Sequence, residues 1–134
     1  MKKLIQIVEI KNQVNDSGVL FYSDYFEPHN FQAKRIYFLQ SIPPNITRGN
    51  HAHKKLRQIF FCVQGQFQLS VSDGIDTETQ VVKDNGAGYL VGKGLWRQLS
   101  DFSTSAICAV LASDPYDPTD YIHDFDDFKK WKTL

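Results

Sequence analysis

The sequence predicts an all-β fold, a sandwich or barrel of short strands, followed by one C-terminal helix. Short apolar or alternating segments recur along most of the chain, and turn-forming residues separate them. These segments are KLIQIVEI, VLFYS, AKRIYFLQ, QIFFCV, QFQLSVS, TQVV, GYLVG and SAICAVLAS. Beyond residue 117 the pattern changes to an aromatic-rich segment that is acidic first and basic later. We therefore expect strands before this point and a helix after it.

The segment QFQLSVSDG is the clearest strand. Phe67, Leu69 and Val71 alternate with polar residues, so they share one face of an extended chain. Asp73 and Gly74 follow at once and mark a hairpin turn.

The C-terminal segment carries aromatic residues at helical spacing. Tyr121, Phe125, Phe128 and Trp131 follow one another at intervals of three and four. This periodicity predicts an amphipathic helix over residues 119–132 whose aromatic stripe packs on the core. The order of its charges, acidic before basic, suits the helix dipole.

Size and charge limit the classes of function. The 134 residues suit a single domain over residues 1–134, and 15 basic residues balance 15 acidic ones. We expect no nucleic-acid or membrane partner, because neutrality leaves no broad basic surface and no apolar run is long enough to span a bilayer. Without a signal-peptide pattern, the expected location is the cytoplasm. Cys62 and Cys108 lie in apolar segments, where we expect free, buried thiols.

The segment RGNHAHKKLRQ, residues 48–58, contains a pair of histidines one residue apart. On a strand, His51 and His53 would project to one face and Ala52 to the other. Such a pair can bind a metal, transfer protons, or have only a structural role.

Two motifs around this pair resemble those of the cupin superfamily. Gly49, His51 and His53 fit the first motif, but Gln58 stands where its glutamate belongs. The segment GAGYLVGKGLWR fits the second motif, with Arg97 in place of its histidine. The resemblance implies a cupin-type double-stranded β-helix, or jelly-roll barrel.

These two replacements argue against a metal. An amide is a neutral ligand, and a guanidinium is a permanent cation that cannot coordinate a divalent ion. We therefore expect neither metal nor other cofactor, and we interpret the histidine pair as acid–base groups. Arg35, Arg48 and Arg97 flank the same motifs, and guanidinium groups bind phosphate through paired hydrogen bonds. A ligand that carries a pyrophosphate is the resulting prediction.

The chain resembles the nucleotide-sugar 3,4-ketoisomerases, the WxcM-like family, over nearly its whole length. The most specific segments are KRIYFL (34–39), RGNHAHKKLRQ (48–58), VSDG (71–74), GLWRQLSDFS (94–103) and VLASDPYDPTDYIHDFDDF (110–128). The resemblance implies a homodimer whose N-terminal strands, within residues 1–25, are exchanged between protomers. It also implies a metal-free isomerase that supplies 3-amino-3,6-dideoxyhexoses for surface glycans such as the lipopolysaccharide O-antigen.

The implied reaction moves the ketone of dTDP-4-dehydro-6-deoxyglucose from carbon 4 to carbon 3 through an enediolate. His51 is expected as the leading base, His53 as its partner or an oxyanion donor, and Tyr37 as a proton relay. Which histidine takes the first proton stays open. The expected substrate-binding residues are Arg35 and Arg48 at the pyrophosphate, Arg97 at the sugar, and Lys54 and Gln58 in the pocket.

Two questions remain open, the configuration of the product and the function itself. Arg97 favours the gluco product over the galacto product, since the resemblance associates arginine at this position with gluco-forming relatives, whereas Ser17 fits neither kind. A 3,5-epimerase of deoxysugar nucleotides would need the same type of base beside a ketone. A non-catalytic cupin that senses or carries a nucleotide sugar is the third hypothesis.

Overall fold

The computed structural model describes residues 2–24 and 26–134. Its strands are β1 (Ile5–Val8), β2 (Lys11–Asn15), β3 (Gly18–Tyr22), β4 (Arg35–Gln40), β5 (Arg48–His53), β6 (Gln58–Gln64), β7 (Gln66–Ser72), β8 (Thr77–Lys83), β9 (Gly88–Val91), β10 (Trp96–Ser100), β11 (Ile107–Ala112) and β12 (Tyr121–Ile122). Its helices are α1 (Phe125–Lys132) and two short 3-10 helices, Glu27–His29 and Pro118–Asp120. Across these two described stretches, no helix has the length and apolar character needed to cross a membrane.

Two five-stranded antiparallel sheets form the barrel. The first has the strand order β1-β9-β6-β11-β4, and the second has the order β12-β5-β10-β7-β8. Both sheets contribute to one buried core, in which Phe60 and Val110 of the first sheet join Phe67, Leu69 and Val71 of the second. The prediction of an all-β, cupin-type barrel with a short C-terminal helix is confirmed.

The alternating segment forms β7 as predicted. Phe67, Leu69 and Val71 are completely buried, and the ring of Phe67 stacks on that of Phe102 with centroids 5.2 Å apart. The loop that begins at Asp73 joins β7 to β8 as a hairpin. Alternation thus determined which face of this strand joined the core.

The C-terminal helix is shorter than predicted and begins at Phe125 instead of residue 119. The preceding residues Pro118–Asp120 form a 3-10 turn, and Tyr121–Ile122 pair with β5 as an edge strand. The side chain of Asp124 accepts the N–H of Asp127 and caps the helix at its true start.

The four aromatic residues of the predicted stripe do not all belong to the helix. Phe128 is fully buried against Ala52 and Ile122, with Trp131 packed beside it, as core packing predicts. Tyr121 belongs to β12 and does not share this packing; its ring lies against the histidines. The helix therefore covers the face of β5 that points away from the histidine pair.

The β2–β3 hairpin forms a two-stranded sheet of its own, separate from the two barrel sheets. It exposes apolar side chains, among them Val14, Val19 and Leu20. The predicted N-terminal segment 1–25 includes Met1 and Tyr25, which lie outside the described residues. Elsewhere, Cys62 and Cys108 are buried and free, as expected.

Candidate active site

Strand β5 carries the histidine pair on one face. The rings of His51 and His53 meet edge to face, with centroids 4.8 Å apart, and their Nε2 atoms are 3.1 Å apart. Ala52, between them, is fully buried on the opposite face. The expected orientation of the pair is confirmed.

Gly49 shapes the strand beside His51. Its φ is +83°, a region that favours glycine, and an added Cβ would lie 3.1 Å from the carbonyl oxygen of Arg97. The pairing of β5 with β10 shifts register at this point, next to the cross-strand pair His51 and Arg97. The carbonyl of Gly49 accepts the Nδ1 hydrogen of His51 at 2.8 Å, because a carbonyl can only accept. In a neutral His51, Nε2 therefore carries a lone pair.

A cavity of about 260 Å³, called the site cavity here, opens beside His51. Its lining residues are Arg35, Tyr37, Leu39, Arg48, Gly49, His51, Gln58, Phe60, Arg97, Leu99 and Tyr121. Six of the eight residues predicted for the site are among them. The other two are not: His53 is buried behind His51 and lines an adjacent cavity of about 190 Å³, and Lys54 is exposed and lines neither cavity.

Arg97 is a buried cation in the wall of the site cavity, only 1% exposed. Its guanidinium donates to Oε1 of Gln58 at 2.6 Å and to the carbonyl of Leu95 at 2.9 Å. Its Nε has no hydrogen-bond partner among the described residues. Burial lowers the pKa of Arg97 to about 10, so the group stays charged near neutral pH.

Tyr37 is joined to the same network, because the amide nitrogen of Gln58 donates to its phenol oxygen at 3.0 Å. The phenol hydrogen is therefore left to donate elsewhere. Burial raises the pKa of Tyr37 above its usual value, although the charge of Arg97 opposes the shift. Tyr37 is thus a neutral phenol at physiological pH and a possible proton donor.

The two imidazoles are neutral near pH 7. Burial is the main cause that lowers the pKa of His51 to about 4; the positive Arg97 contributes to the shift, and the hydrogen bond to Gly49 opposes it. The pKa of His53 is also lowered, by burial first and by Arg97 second. A neutral imidazole whose Nε2 lacks hydrogen can act as a base.

The ligand set does not suit a divalent metal. Gln58 and Arg97, which occupy two of the four cupin ligand positions, are hydrogen-bonded to each other. A charged guanidinium beside two imidazoles repels a cation instead of binding it. In residues 2–24 and 26–134, no group of three or more His, Cys, Asp or Glu side chains is arranged to hold a metal ion.

Three guanidinium groups line the site cavity, and no carboxylate of the described residues does. Arg35 lies 5.0 Å from the ring centre of Tyr37 and 5.5 Å from that of Tyr116. Arg48 is exposed at the start of β5. This distribution of charge favours an anionic ligand.

Asp120 and Tyr121 are among the residues beside the histidine pair that sequence analysis did not assign to the site. Oδ2 of Asp120 lies 3.2 Å from Nδ1 of His53. The ring of Tyr121 lies within 5 Å of both histidine rings, at 4.8 and 4.3 Å. Both residues were assigned to the helix, although the Asp117-Pro118 dipeptide signals a turn that could have separated them from it.

Comparison with known proteins identifies the family of the chain. Residues 2–133 match the family described as FdtA: WxcM-like, C-terminal. A TDP-4-oxo-6-deoxy-alpha-D-glucose-3,4-oxoisomerase from Aneurinibacillus thermoaerophilus is 33% identical over 126 residues, which cover 94% of this chain and 91% of the relative.

Two solved structures are similar along nearly their whole length. The QdtA 3,4-ketoisomerase from Thermoanaerobacterium thermosaccharolyticum, solved as a mutant with TDP-4-keto-6-deoxyglucose, is 28% identical with a TM-score of 0.91, covering 99% of this chain and 96% of that one. The WlaRB TDP-quinovose 3,4-ketoisomerase from Campylobacter jejuni is 32% identical with a TM-score of 0.87, covering 96% and 99%. The chain belongs to the FdtA family of WxcM-like proteins.

Proposed function

We propose that this protein is a 3,4-ketoisomerase that acts on a dTDP-linked 4-keto-6-deoxyglucose. One observation carries the proposal: the neutral imidazole of His51 and the neutral phenol of Tyr37 line a single cavity with three guanidinium groups. A base, a proton donor and an anion-binding wall are what this isomerisation needs.

The reaction consists of four proton movements, two at carbon and two at oxygen. A base removes the hydrogen on carbon 3, which the neighbouring ketone makes acidic, and the electron pair forms an enediolate with its charge on the carbon 4 oxygen. Carbon 4 then receives a proton, its oxygen is protonated, and the hydroxyl on carbon 3 loses its hydrogen. The ketone has moved to carbon 3 with no net change in composition.

His51 is the base in this proposal, and the geometry supports this choice between the two histidines, which the sequence left open. His51 lines the site cavity, whereas His53 lies behind it and is only 1% exposed. Tyr37 supplies the proton to carbon 4, because its phenol hydrogen is not used by Gln58. Arg97 is the candidate to stabilise the enediolate oxygen, since it is charged and its Nε lacks a protein partner.

The remaining binding residues divide into two groups. Arg35 and Arg48 are proposed to bind the pyrophosphate, because both line the cavity and are less buried than Arg97. Gln58 is held between Arg97 and Tyr37, so we assign it to orienting these two side chains. Lys54 is exposed and lines neither cavity, so we assign it no contact with the substrate.

The proposed product has the gluco configuration at carbon 4. Arg97 supports this choice, and so does the 32% identical relative, whose name contains quinovose, the 6-deoxy sugar of glucose configuration. A ketone at carbon 3 is the substrate that an aminotransferase needs to form a 3-amino-3,6-dideoxyhexose for a surface glycan. We place the reaction in the cytoplasm, as the sequence predicts.

We also propose a homodimer with exchanged N-terminal hairpins. Exposed apolar residues of the β2–β3 hairpin include Leu20 and Phe21, and the outer face of the first sheet exposes Ile36 and Phe38. An apolar cavity of about 390 Å³ lies between the hairpin and this sheet. Apolar surface of this extent is unusual on a monomer and is typical of a subunit interface.

Incubation with dTDP-4-keto-6-deoxyglucose in heavy water tests the reaction itself. We expect the ketone at carbon 3, deuterium at carbon 4 and the gluco configuration, because carbon 4 takes its proton from an exchangeable group. Coupling to an aminotransferase traps the product for NMR. Exchange at carbon 5 with the ketone still at carbon 4 would indicate an epimerase, and tight binding without turnover would indicate a carrier protein.

The His51→Asn variant tests the base. We expect kcat to fall about 100-fold to 10,000-fold, the usual contribution of a general base, while the fold is retained. His29→Asn is the matched control, since His29 lines neither cavity beside the histidine pair. Near-wild-type turnover by a folded His51→Asn protein would contradict the assignment.

Elemental analysis and chelation test metal independence. Purified protein is expected to hold no stoichiometric metal and to keep its activity after EDTA treatment, because Arg97 occupies a ligand position. Stoichiometric zinc, iron or manganese, with activity lost to the chelator, would overturn this part of the proposal.

Mass measurement by light scattering tests the dimer. Wild-type protein is expected at twice the mass of one chain, and Phe21→Asp at the mass of one, because a carboxylate would be buried in the apolar interface. Ile75→Asp, at a 92% exposed apolar residue of another hairpin, should remain dimeric. A monomeric wild-type protein would refute the exchange.

A further inference from the structure

His53 lies between His51, which lines the site cavity, and Asp120, so that the three side chains form a line. Nε2 of His53 is 3.1 Å from Nε2 of His51, and its Nδ1 is 3.2 Å from Oδ2 of Asp120. The side chains of His53 and Asp120 are 2% and 5% exposed. A buried carboxylate in this position controls which nitrogen of the imidazole carries hydrogen.

The backbone holds Asp120 as a hydrogen-bond acceptor. The N–H of Lys55 donates to its Oδ1 at 3.0 Å, and the N–H of Leu56 donates to its Oδ2 at 3.2 Å. The backbone carbonyl of Asp120 accepts the N–H of Lys54 at 3.0 Å. Since both carboxylate oxygens accept from backbone donors, the hydrogen between Asp120 and His53 belongs to Nδ1 of His53.

The positions of the other hydrogens follow. His51 donates its Nδ1 hydrogen to Gly49, so both histidines carry hydrogen on Nδ1 when neutral. Their Nε2 atoms then face each other with lone pairs and have room for one hydrogen between them. A proton that His51 removes at Nε2 would be within hydrogen-bond distance of His53.

We propose that Asp120 is a positioning residue of the isomerisation: it keeps Nε2 of His53 free of hydrogen, so that His53 shares the proton taken by His51. The inference rests on the proposed function for its reaction, but the hydrogen positions do not depend on substrate. It replaces the expectation that His53 is an oxyanion donor, because Nε2 of neutral His53 has no hydrogen to donate.

Asp120→Asn removes the charge at nearly constant shape. An amide has a single acceptor oxygen, so it cannot accept from Nδ1 of His53 and from the N–H groups of Lys55 and Leu56 together. Where its nitrogen faces His53, it donates to Nδ1 and moves the hydrogen of that ring to Nε2, where it occupies the lone pair of His51. We expect kcat to fall about 100-fold while KM changes less than about 3-fold. Asp124→Asn is the matched control, because Asp124 is an exposed helix cap without contact to the histidines.

Long-range ¹H–¹⁵N correlation spectra of ¹⁵N-histidine-labelled protein provide a direct readout. In wild-type protein at neutral pH, His53 is expected to carry hydrogen on Nδ1 alone, and in Asp120→Asn on Nε2. Hydrogen on Nε2 of wild-type His53 would overturn the proposal, even if the variant fails to fold. Absence of ketone migration by wild-type protein would instead count against the proposed function and leave the hydrogen positions standing.

Discussion

The hydrogen bond between Arg97 and Gln58, 2.6 Å long and buried in the barrel, determines the chemistry of the groups around it. The charge of Arg97 helps to keep both imidazoles neutral and disfavours a metal cation beside them. Through the other end of its amide, Gln58 holds the oxygen of Tyr37 and leaves the phenol hydrogen free. A cupin barrel of this composition therefore holds a neutral imidazole and a neutral phenol, the proposed base and proton donor, in one cavity.

The two sides of the site depend on different parts of the chain. The first sheet supplies Tyr37 and Gln58, and the second supplies His51 and Arg97, so the site cavity lies between the sheets. The second sheet gains its edge strand β12 from the C-terminal segment, and the turn before it places Asp120 behind the histidines. The core between the sheets thus sets the distance between His51 and Tyr37, the proposed base and proton donor.

Much of this arrangement follows from local sequence patterns. Alternation predicted the buried face of β7, and the two-residue spacing of His51 and His53 predicted their common face. The role of Asp120 did not follow, because its contact with His53 spans 67 residues and depends on a two-residue strand. The predicted helix wrongly included that strand, because Tyr121 fits the helical spacing of the aromatic residues. In the structure, pairing with another strand holds Tyr121 in an extended conformation. The sequence also could not show that His51 lines the site cavity and His53 lies behind it, because a strand pattern does not indicate which of two residues on one face is nearer to a ligand.

The central claim is that the histidine pair transfers a proton from the sugar and that a different group returns one. Substrate that carries deuterium at carbon 3 tests this claim. The product is analysed by mass spectrometry after a single turnover. The account predicts that the deuterium is lost to water, because His51 removes it and Tyr37 supplies carbon 4 with another hydrogen. Retention of the deuterium at carbon 4 of every product molecule would contradict it, since that result indicates either return of the deuteron by the group that removed it or direct hydride transfer between the two carbons.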